Sequence, residues 1–283
     1  MFKAQLALKS NPEAITLVSL TDTVVFGGQD IVMIGGPCAV ESLAQMEAVA
    51  NGLSLAPVQA LRGGAFKPRT SPHSFQGLGL EGLKILAEVK RRYGIPVVTE
   101  VMSTEQIEAV ATYADMLQVG SRNMQNFELL KALGHVNKPI LLKRGLAATL
   151  EEFIGAAEYI LSHGNTQVVL CERGIRSFDN YTRNVLDLGA VVALKQLTCL
   201  PVIVDPSHAA GRRELIAPLA KAAIAAGADG LIIECHPQPE KSVSDAAQAL
   251  SLEEMVSLVH SLQPIAQAIG RSIVPFSRSL IAA

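Results

Sequence analysis

The sequence alternates eight short apolar runs with seven helix-like segments, and this alternation constrains the fold more than any other feature. Most of the runs are apolar at nearly every position, which is typical of parallel strands buried on both faces. The runs lie at 31–36, 58–64, 96–101, 115–120, 139–145, 167–174, 201–206 and 230–235. Apolar residues at helical spacing predict helices at 42–50, 81–93, 104–112, 127–133, 149–162, 184–197 and 214–226.

Eight strand–helix units predict an α/β fold of the (β/α)8 (TIM) barrel type, because they match the repeat and length of that fold. The alternative is a doubly wound open sheet, but no G-x-G-x-x-G follows the first run. Two β-like runs, AITLVSL and TVVFGG, precede the first barrel strand. We therefore expect an N-terminal β-hairpin extension at 1–30, plugging or flanking the bottom of a catalytic barrel at 31–283.

Charge and cysteine content exclude several classes of protein. The 24 basic and 26 acidic residues give a formal charge of −2, which argues against a nucleic-acid partner. The apolar runs are far shorter than a membrane span, and the N-terminus lacks the apolar stretch of a signal peptide. Four widely spaced cysteines indicate buried thiols or a metal ligand rather than disulfides. We expect a cytoplasmic protein without a membrane partner.

Polar side chains stand where the apolar runs stop. In a barrel of this type these positions surround one end, here called the mouth, where active sites lie. A single charged residue at such a position is more often a loop residue or a helix cap, but eight strand ends with this pattern indicate a site. The residues are Cys38, Arg62, Glu100, Gln118 with Arg122, Lys143, Glu172 with Arg173, Asp205 with His208, and Glu234 with His236.

Four of the candidates form a metal-ligand pattern. Cys38 follows the first strand, His208 the seventh, and Glu234 and Asp245 the eighth. The eighth strand of a closed barrel neighbours both the seventh and the first, so these side chains can converge. A thiolate, an imidazole and two carboxylates suit Mn²⁺, Fe²⁺, Co²⁺ or Zn²⁺ better than Mg²⁺. The alternative is a buried thiol and a loop histidine without a metal.

A second group of candidates is cationic. Its members are Arg62, Lys67, Arg69, Arg122, Lys143 and Arg173. Six positive side chains at one mouth repel one another unless anions lie between them, and Arg and Lys bind phosphate and carboxylate groups. The group therefore predicts a substrate or substrates with several acidic groups. Surface ion pairs are the alternative.

Long motifs within these regions resemble a known enzyme family. They are GGPCAVES (35–42), RGGAFKPRTSPHSFQGLG (62–79), GSRNMQNFELL (120–130), LCERGIRSF (170–178), PVIVDPSHAAGRR (201–213) and HPQPEKSVSDAAQAL (236–250). They closely resemble the type I beta 3-deoxy-D-arabino-heptulosonate 7-phosphate (DAHP) synthases over residues 16 to 255. The resemblance implies a transferase that condenses phosphoenolpyruvate with erythrose 4-phosphate and water. That reaction opens the shikimate route to chorismate and the aromatic amino acids.

The resemblance also implies a role for each candidate. Cys38, His208, Glu234 and Asp245 match the family's ligands for a divalent metal ion. The phosphoenolpyruvate-binding set is Arg62, Lys67, Arg122, Lys143 and Arg173, and the erythrose 4-phosphate set is Arg69 and Thr70. Lys67, Cys38 and His208 are the catalytic candidates, although the proton donor stays open between Lys67 and a water at the metal. Glu100 and Asp205 are candidates for positioning water, and the family suggests a homo-oligomer, a dimer or tetramer.

Three other functions remain open at this point. The sister enzyme 3-deoxy-D-manno-octulosonate 8-phosphate synthase uses arabinose 5-phosphate and typically has KANR where this chain has KPRT (67–70). A Schiff-base aldolase would use Lys143, and a non-catalytic regulator would keep the barrel without its chemistry. Because the sequence has no room for the regulatory domains fused to some relatives, we expect little inhibition by aromatic amino acids through such a domain.

Overall fold

A closed barrel of eight parallel strands forms the centre of the protein. The structure, a computed structural model, describes residues 4–67 and 73–275. The barrel strands are β3 (Val32–Gly36), β4 (Ala60–Arg62), β5 (Val97–Val101), β6 (Met116–Val119), β7 (Ile140–Lys143), β8 (Val168–Glu172), β9 (Val202–Val204) and β10 (Gly230–Glu234). They pair in chain order, and β10 closes the ring by pairing with β3. The predicted barrel is confirmed, and the open-sheet alternative is wrong.

Helices surround the barrel where helical spacing predicts them. Those described are α1 (Leu43–Leu53), α2 (Leu80–Tyr93), α3 (Ile107–Tyr113), α4 (Phe127–Leu133), α5 (Leu150–Leu161), α6 (Leu188–Leu197), α7 (Pro206–Ala210), α8 (Arg213–Ala225) and α9 (Leu252–Ala268). The sequence analysis missed α7 and α9. Yet α9 begins at a capping box of Ser251 and Glu254, the same signal that starts α5 at Thr149 and Glu152.

The predicted N-terminal hairpin is present and plugs the barrel. Strands β1 (Val18–Ser19) and β2 (Val25–Phe26) pair antiparallel. Val18, Val24 and Phe26 are buried in one apolar cluster with inward-facing residues from all eight barrel strands. The inner cluster is mostly aliphatic, as the low aromatic content requires. The amino-terminal end of the barrel, with this hairpin and residues 228–230 and 271–274, is here called the floor.

Arg271 and Asp229 form the centre of a hydrogen-bond network at the floor. Arg271 donates five hydrogen bonds, to the carbonyl oxygens of residues 28, 29, 30 and 228 and to Asp229 Oδ1. Asp229, 2% exposed, also accepts from Lys195 Nζ at 2.6 Å and from the Val202 N–H at 2.7 Å. Both oxygens of this buried carboxylate therefore accept hydrogen bonds from protein donors. The floor is therefore a closed structural network.

Within the described ranges, no helix has both the length and the apolar character that crossing a membrane requires. The four cysteines there are free thiols, as expected, and Cys38, Cys171 and Cys235 are buried.

Candidate active site

The cavity at the mouth contains most of the predicted site residues. Its volume is about 270 Å³. Five of the six predicted cations line it, together with two of the four predicted metal ligands, His208 and Asp245. The cavity lining consists of Arg62, Lys67, Glu100, Gln118, Gly120, Ser121, Arg122, Lys143, Arg173, Arg183, His208 and Asp245. The strand-end pattern thus corresponds to one continuous polar cavity.

A glycine at the end of β3 permits the close approach of β3 to β4. Gly36 has φ +141°, and a Cβ there would lie 2.2 Å from the carbonyl oxygen of Arg62. Any side chain would push the two strands apart. The absence of a side chain lets the end of β3, two residues before Cys38, lie against Arg62 at the end of β4.

The four predicted metal ligands converge. One donor atom from each of Cys38, His208, Glu234 and Asp245 lies within 4.8 Å of every other. Cys38 Sγ is 3.1 Å from Asp245 Oδ2, and His208 Nε2 is 3.7 Å from Glu234 Oε2 and 3.8 Å from Asp245 Oδ2. Ligands about 2.0–2.3 Å from a shared ion have separations of this size. The donor set and its spacing therefore fit a divalent transition metal.

Unsatisfied polar atoms also support a metal at this point. Glu234 Oε1 is buried and has no hydrogen-bond partner among the described residues. A buried carboxylate oxygen without a donor is costly unless a cation faces it. Two carboxylates and a thiol this close would repel one another once ionised, so a divalent ion between them would relieve both problems.

Burial sets the protonation states of the ligand group. It raises the pKa of Glu234 to about 7 and lowers the pKa of His208 to about 3, so the imidazole is neutral at physiological pH. Burial also raises the pKa of the Cys38 thiol, with Glu234 adding to the effect. For Asp245 the raising effect of burial is outweighed by His208 and Arg183, and its pKa lies below the ordinary value. A neutral imidazole is the form that binds metal.

A hydrogen-bond network that the sequence analysis missed supports two of the ligands. Arg183 Nη1 donates to Asp245 Oδ1 at 3.1 Å and to Gln248 Oε1 at 3.2 Å, and Gln248 Nε2 donates to Glu234 Oε2 at 2.8 Å. Asp245 has φ +55°, a conformation that costs energy in a residue with a side chain. The network holds it there. A single glutamine such as Gln248 does not indicate a site in a sequence. Its contact with Arg183, 65 residues away, follows only from the fold.

The cations differ in how they are satisfied. Arg62 and Arg173 are buried, and each has an Nη1 atom without a hydrogen-bond partner in the described structure. Lys143 Nζ forms a buried ion pair with Asp205. Lys67 Nζ donates to the Cys38 carbonyl oxygen at 2.9 Å and to its Sγ at 3.0 Å. Arg122 is exposed at the rim. Buried guanidinium N–H groups that lack acceptors indicate a site for an anion.

Several predicted residues lie elsewhere. Arg69 and Thr70 fall outside the described residues. His236 Nε2 is 3.3 Å from Glu41, outside the ligand group, and Glu172 bonds to Arg144 rather than lining the cavity. Glu100 does line the cavity, and its Oε2 accepts a hydrogen bond from Gln118 Nε2 at 3.3 Å.

Comparison with known proteins identifies the family of the chain. Residues 12–270 match the DAHP synthetase I family. The chain belongs to this family. It is 50% identical over 255 residues to the phospho-2-dehydro-3-deoxyheptonate aldolase of Thermotoga maritima, covering 90% of this chain and 75% of the relative.

The structural comparison gives the same family. A crystal structure of the Thermotoga maritima DAHP synthase superposes with a TM-score of 0.92 at 47% identity, covering 96% of this chain and 79% of that one. A 2-dehydro-3-deoxyphosphooctonate aldolase from Syntrophotalea carbinolica is 33% identical over 261 residues, covering 86% of this chain and 93% of that one. The likeness to the heptulosonate enzyme is therefore the stronger of the two in sequence identity.

Proposed function

We propose that this member of the DAHP synthetase I family condenses phosphoenolpyruvate with erythrose 4-phosphate and water, giving DAHP and phosphate. The observation that carries the proposal is the pairing of two features in one cavity. The Nη1 atoms of Arg62 and Arg173 lack a hydrogen-bond partner among the described residues and call for an anion, and the four-residue ligand group lies next to them. The Thermotoga relative is a phospho-2-dehydro-3-deoxyheptonate aldolase, which supports the same reaction class.

The ligand group is assigned to a divalent transition metal ion. Cys38, His208, Glu234 and Asp245 would hold it, because their donor atoms converge within 4.8 Å. The bound ion supplies Lewis-acid polarisation of the aldehyde carbonyl. Arg183 and Gln248 keep the two carboxylates aimed at the same point.

The cations bind and orient the phosphoenolpyruvate. Arg62, Lys143 and Arg173 line the cavity, are buried, and would take its phosphate and carboxylate, while the exposed Arg122 approaches from the rim. We assign Arg69 and Thr70, which lie between β4 and α2 in the sequence, to the phosphate of erythrose 4-phosphate. Fixing both anions removes the entropy cost of bringing the reacting carbons together, an effect worth several kcal/mol.

The reaction also requires proton transfers, which we assign to Lys67 and Glu100. When C3 of phosphoenolpyruvate bonds to the aldehyde carbon, the aldehyde oxygen gains a proton, and we assign Lys67 as its donor because its ammonium lies beside Cys38. Glu100, whose carboxylate faces the cavity, orients the water that adds at C2 and takes its proton. The C2–O bond to phosphate then breaks, and the departing phosphate takes the proton of the C2 hydroxyl, which leaves the ketone and HPO₄²⁻. The proton that Glu100 took from water returns through solvent to Lys67.

The direct test is turnover by the purified protein with phosphoenolpyruvate and erythrose 4-phosphate. Activity should disappear with a chelator and return on addition of Mn²⁺. Full activity in chelator together with borohydride trapping of a substrate on Lys143 would instead establish a Schiff-base aldolase. The Lys143–Asp205 ion pair disfavours that reaction, because an ammonium held by a carboxylate is not a free amine.

The choice of aldose needs its own assay. Arabinose 5-phosphate is the substrate to compare, because relatives named 2-dehydro-3-deoxyphosphooctonate aldolase match this chain at 30–34% identity. The KPRT segment that distinguishes the two families continues from Lys67 into residues outside the described range. Turnover should be at least tenfold faster with erythrose 4-phosphate, and a preference for arabinose 5-phosphate would reverse the assignment.

We further infer a cytoplasmic homo-oligomer, a dimer or tetramer. Exposed apolar side chains support association between copies, among them Phe178 and Tyr181, which follow β8, and Leu17 before the hairpin. Light scattering on the eluted protein would give the mass of the particle. A single chain of 30 kDa would contradict the inference.

A further inference from the structure

Asp205 lies between the metal-ligand group and the anion-binding residues. It follows β9 directly and is fully buried. Its Oδ1 accepts a hydrogen bond from the backbone N–H of His208 at 2.9 Å, so it caps the short helix α7. Its Oδ2 faces both Lys143 Nζ and, at 2.9 Å, His208 Nδ1. Both carboxylate oxygens are therefore occupied by protein donors, and the residue is not available to position water as the sequence analysis expected.

We propose that Asp205 is a positioning residue that orients the His208 imidazole toward the metal and fixes the proton of that ring on Nδ1. The inference rests on the proposed function, since it assigns a role within the same site. Asp205 touches neither substrate nor metal in this arrangement. It acts through His208 alone.

The argument depends on the two nitrogens of the imidazole. His208 Nε2 faces the carboxylates of Glu234 and Asp245, so Nε2 must carry the lone pair if the residue is to bind a metal. The proton then belongs on Nδ1, and the atom next to Nδ1 is the negative oxygen of Asp205. A carboxylate beside the second nitrogen fixes both the tautomer and the ring orientation of metal-binding histidines. The two atoms are 2.9 Å apart, within ion-pair distance, and Nδ1 has no other partner among the described residues.

Lys143 holds the positioning carboxylate in place. Its ammonium binds the same Oδ2 that faces His208, while Oδ1 is committed to the start of α7. With donors on both sides, the carboxylate cannot rotate without losing a contact. The orientation of His208 is thus set by a rigid group.

Replacement of Asp205 with Asn gives a sharp test because the two side chains have the same shape. Asn keeps an oxygen for the His208 N–H and remains a good helix cap. Its NH2 group would then face Lys143 Nζ and His208 Nδ1, so the favoured imidazole proton moves to Nε2, the atom needed by the metal. In the reverse orientation the NH2 group would face the backbone N–H of His208, and these two donors cannot hydrogen-bond to each other.

The floor offers a matched control. Asp229 is also a buried aspartate that binds a lysine ammonium and a backbone N–H, but it lies at the opposite end of the barrel. Asp229→Asn removes the same charge from a similar environment without approaching His208. A general loss of stability or packing would affect both variants.

The experiment measures Mn²⁺ binding to the chelator-treated proteins by calorimetry and the tautomer of His208 by ¹⁵N NMR. The His208 signals are assigned by their loss in His208→Gln. Asp205→Asn should weaken Mn²⁺ binding about 10- to 100-fold and shift the proton to Nε2. Asp229→Asn should bind Mn²⁺ within about twofold of the unmodified protein.

The outcomes separate the two levels of inference. If the unmodified protein does not bind Mn²⁺, the proposed function fails. If it binds Mn²⁺ and Asp205→Asn binds equally well, or with unchanged His208 tautomer, the positioning role is wrong. Should Asp205→Asn fail to fold, the unmodified protein still decides the question, because finding its His208 proton on Nε2 overturns the proposal and finding it on Nδ1 supports it.

Discussion

The mouth and the floor of the barrel both contain arginine and aspartate side chains, but they satisfy these charges differently. At the floor, Arg271 has five acceptors and Asp229 has donors from two side chains and a backbone N–H. At the mouth, Arg62 and Arg173 each have a buried Nη1 atom without a hydrogen-bond partner among the described residues. The same residue types therefore stabilise the fold at the floor, whereas at the mouth they leave N–H groups available to bind a ligand.

The difference has an energetic meaning. A buried donor without an acceptor costs about 1–3 kcal/mol, and more when it is charged. The unpaired donors at the mouth therefore lower the free energy of unfolding, and a bound anion that accepts their hydrogen bonds would raise it again. The two ends should respond in opposite ways when a cation is removed.

The largest effect is expected at the floor. Arg271→Met should lower the free energy of unfolding by about 2–4 kcal/mol, because it removes one of the donors to Asp229 and leaves four backbone carbonyl oxygens without the guanidinium. Urea unfolding at fixed pH measures the loss. The affinity for phosphoenolpyruvate should not change at a temperature where the variant is folded.

A surface arginine provides the control for that experiment. Arg91 is 70% exposed and pairs with Glu88 one helical turn earlier, so Arg91→Met should change stability by less than about 0.5 kcal/mol. An unfolding midpoint for Arg271→Met equal to that of Arg91→Met would show that the floor network does not stabilise the fold.

The reverse pattern is expected at the mouth. Burial lowers the pKa of Arg173, so its surroundings disfavour the charged form in the ligand-free protein. Arg173→Met should therefore leave the free energy of unfolding unchanged or higher. Its affinity for phosphoenolpyruvate should fall by about 1.5–3 kcal/mol, roughly 10- to 150-fold, measured by calorimetry on the chelator-treated protein. A variant that loses stability but binds normally would place Arg173 with the structural cations.

A smaller effect is expected in the number of protons that the ligand group at the mouth releases when it binds Mn²⁺. The Glu234 pKa of about 7 means that its carboxyl group is mostly protonated at pH 6 and mostly ionised at pH 8.5, while Cys38 stays a thiol at both. Ligands lose their protons when a metal binds, so Mn²⁺ should release about two protons at pH 6 and about one at pH 8.5. Metal affinity should accordingly rise with pH, more steeply below pH 7 than above it.

Calorimetry in buffers of different ionisation enthalpy counts these protons. Glu234→Gln, which has no carboxyl proton, should release about one at both pH values. Equal counts for the unmodified protein at pH 6 and pH 8.5 would contradict the raised pKa of Glu234.

The parts of the structure that follow from local pattern were predictable from sequence. The eight apolar runs became the eight strands, and the ligand group followed from barrel closure because β10 lies between β9 and β3. Helix α9 was missed although its SLEE start carries the same capping signal as TLEE in α5. The signal that starts α9 was therefore present in the sequence.

Other features depend on contacts between distant segments and leave no local signal. Arg271 reaches Asp229 across 42 residues, and Arg183 reaches Asp245 across 62. Asp205 looked like a strand-end carboxylate available to water, and only the positions of Lys143 and His208 show that both of its oxygens are taken. The motif-based assignment of Arg69 and Thr70 stays a prediction.

The hairpin also fixes which end of the barrel can exchange molecules with solvent. Val18, Val24 and Phe26 fill the floor among the inward-facing residues of the strands, while the cavity at the mouth stays open among the described residues. An anion bound to Arg62 or Arg173 would therefore enter and leave through the mouth. The hairpin thus separates the end of the barrel that is closed by packing from the end that exchanges ligands.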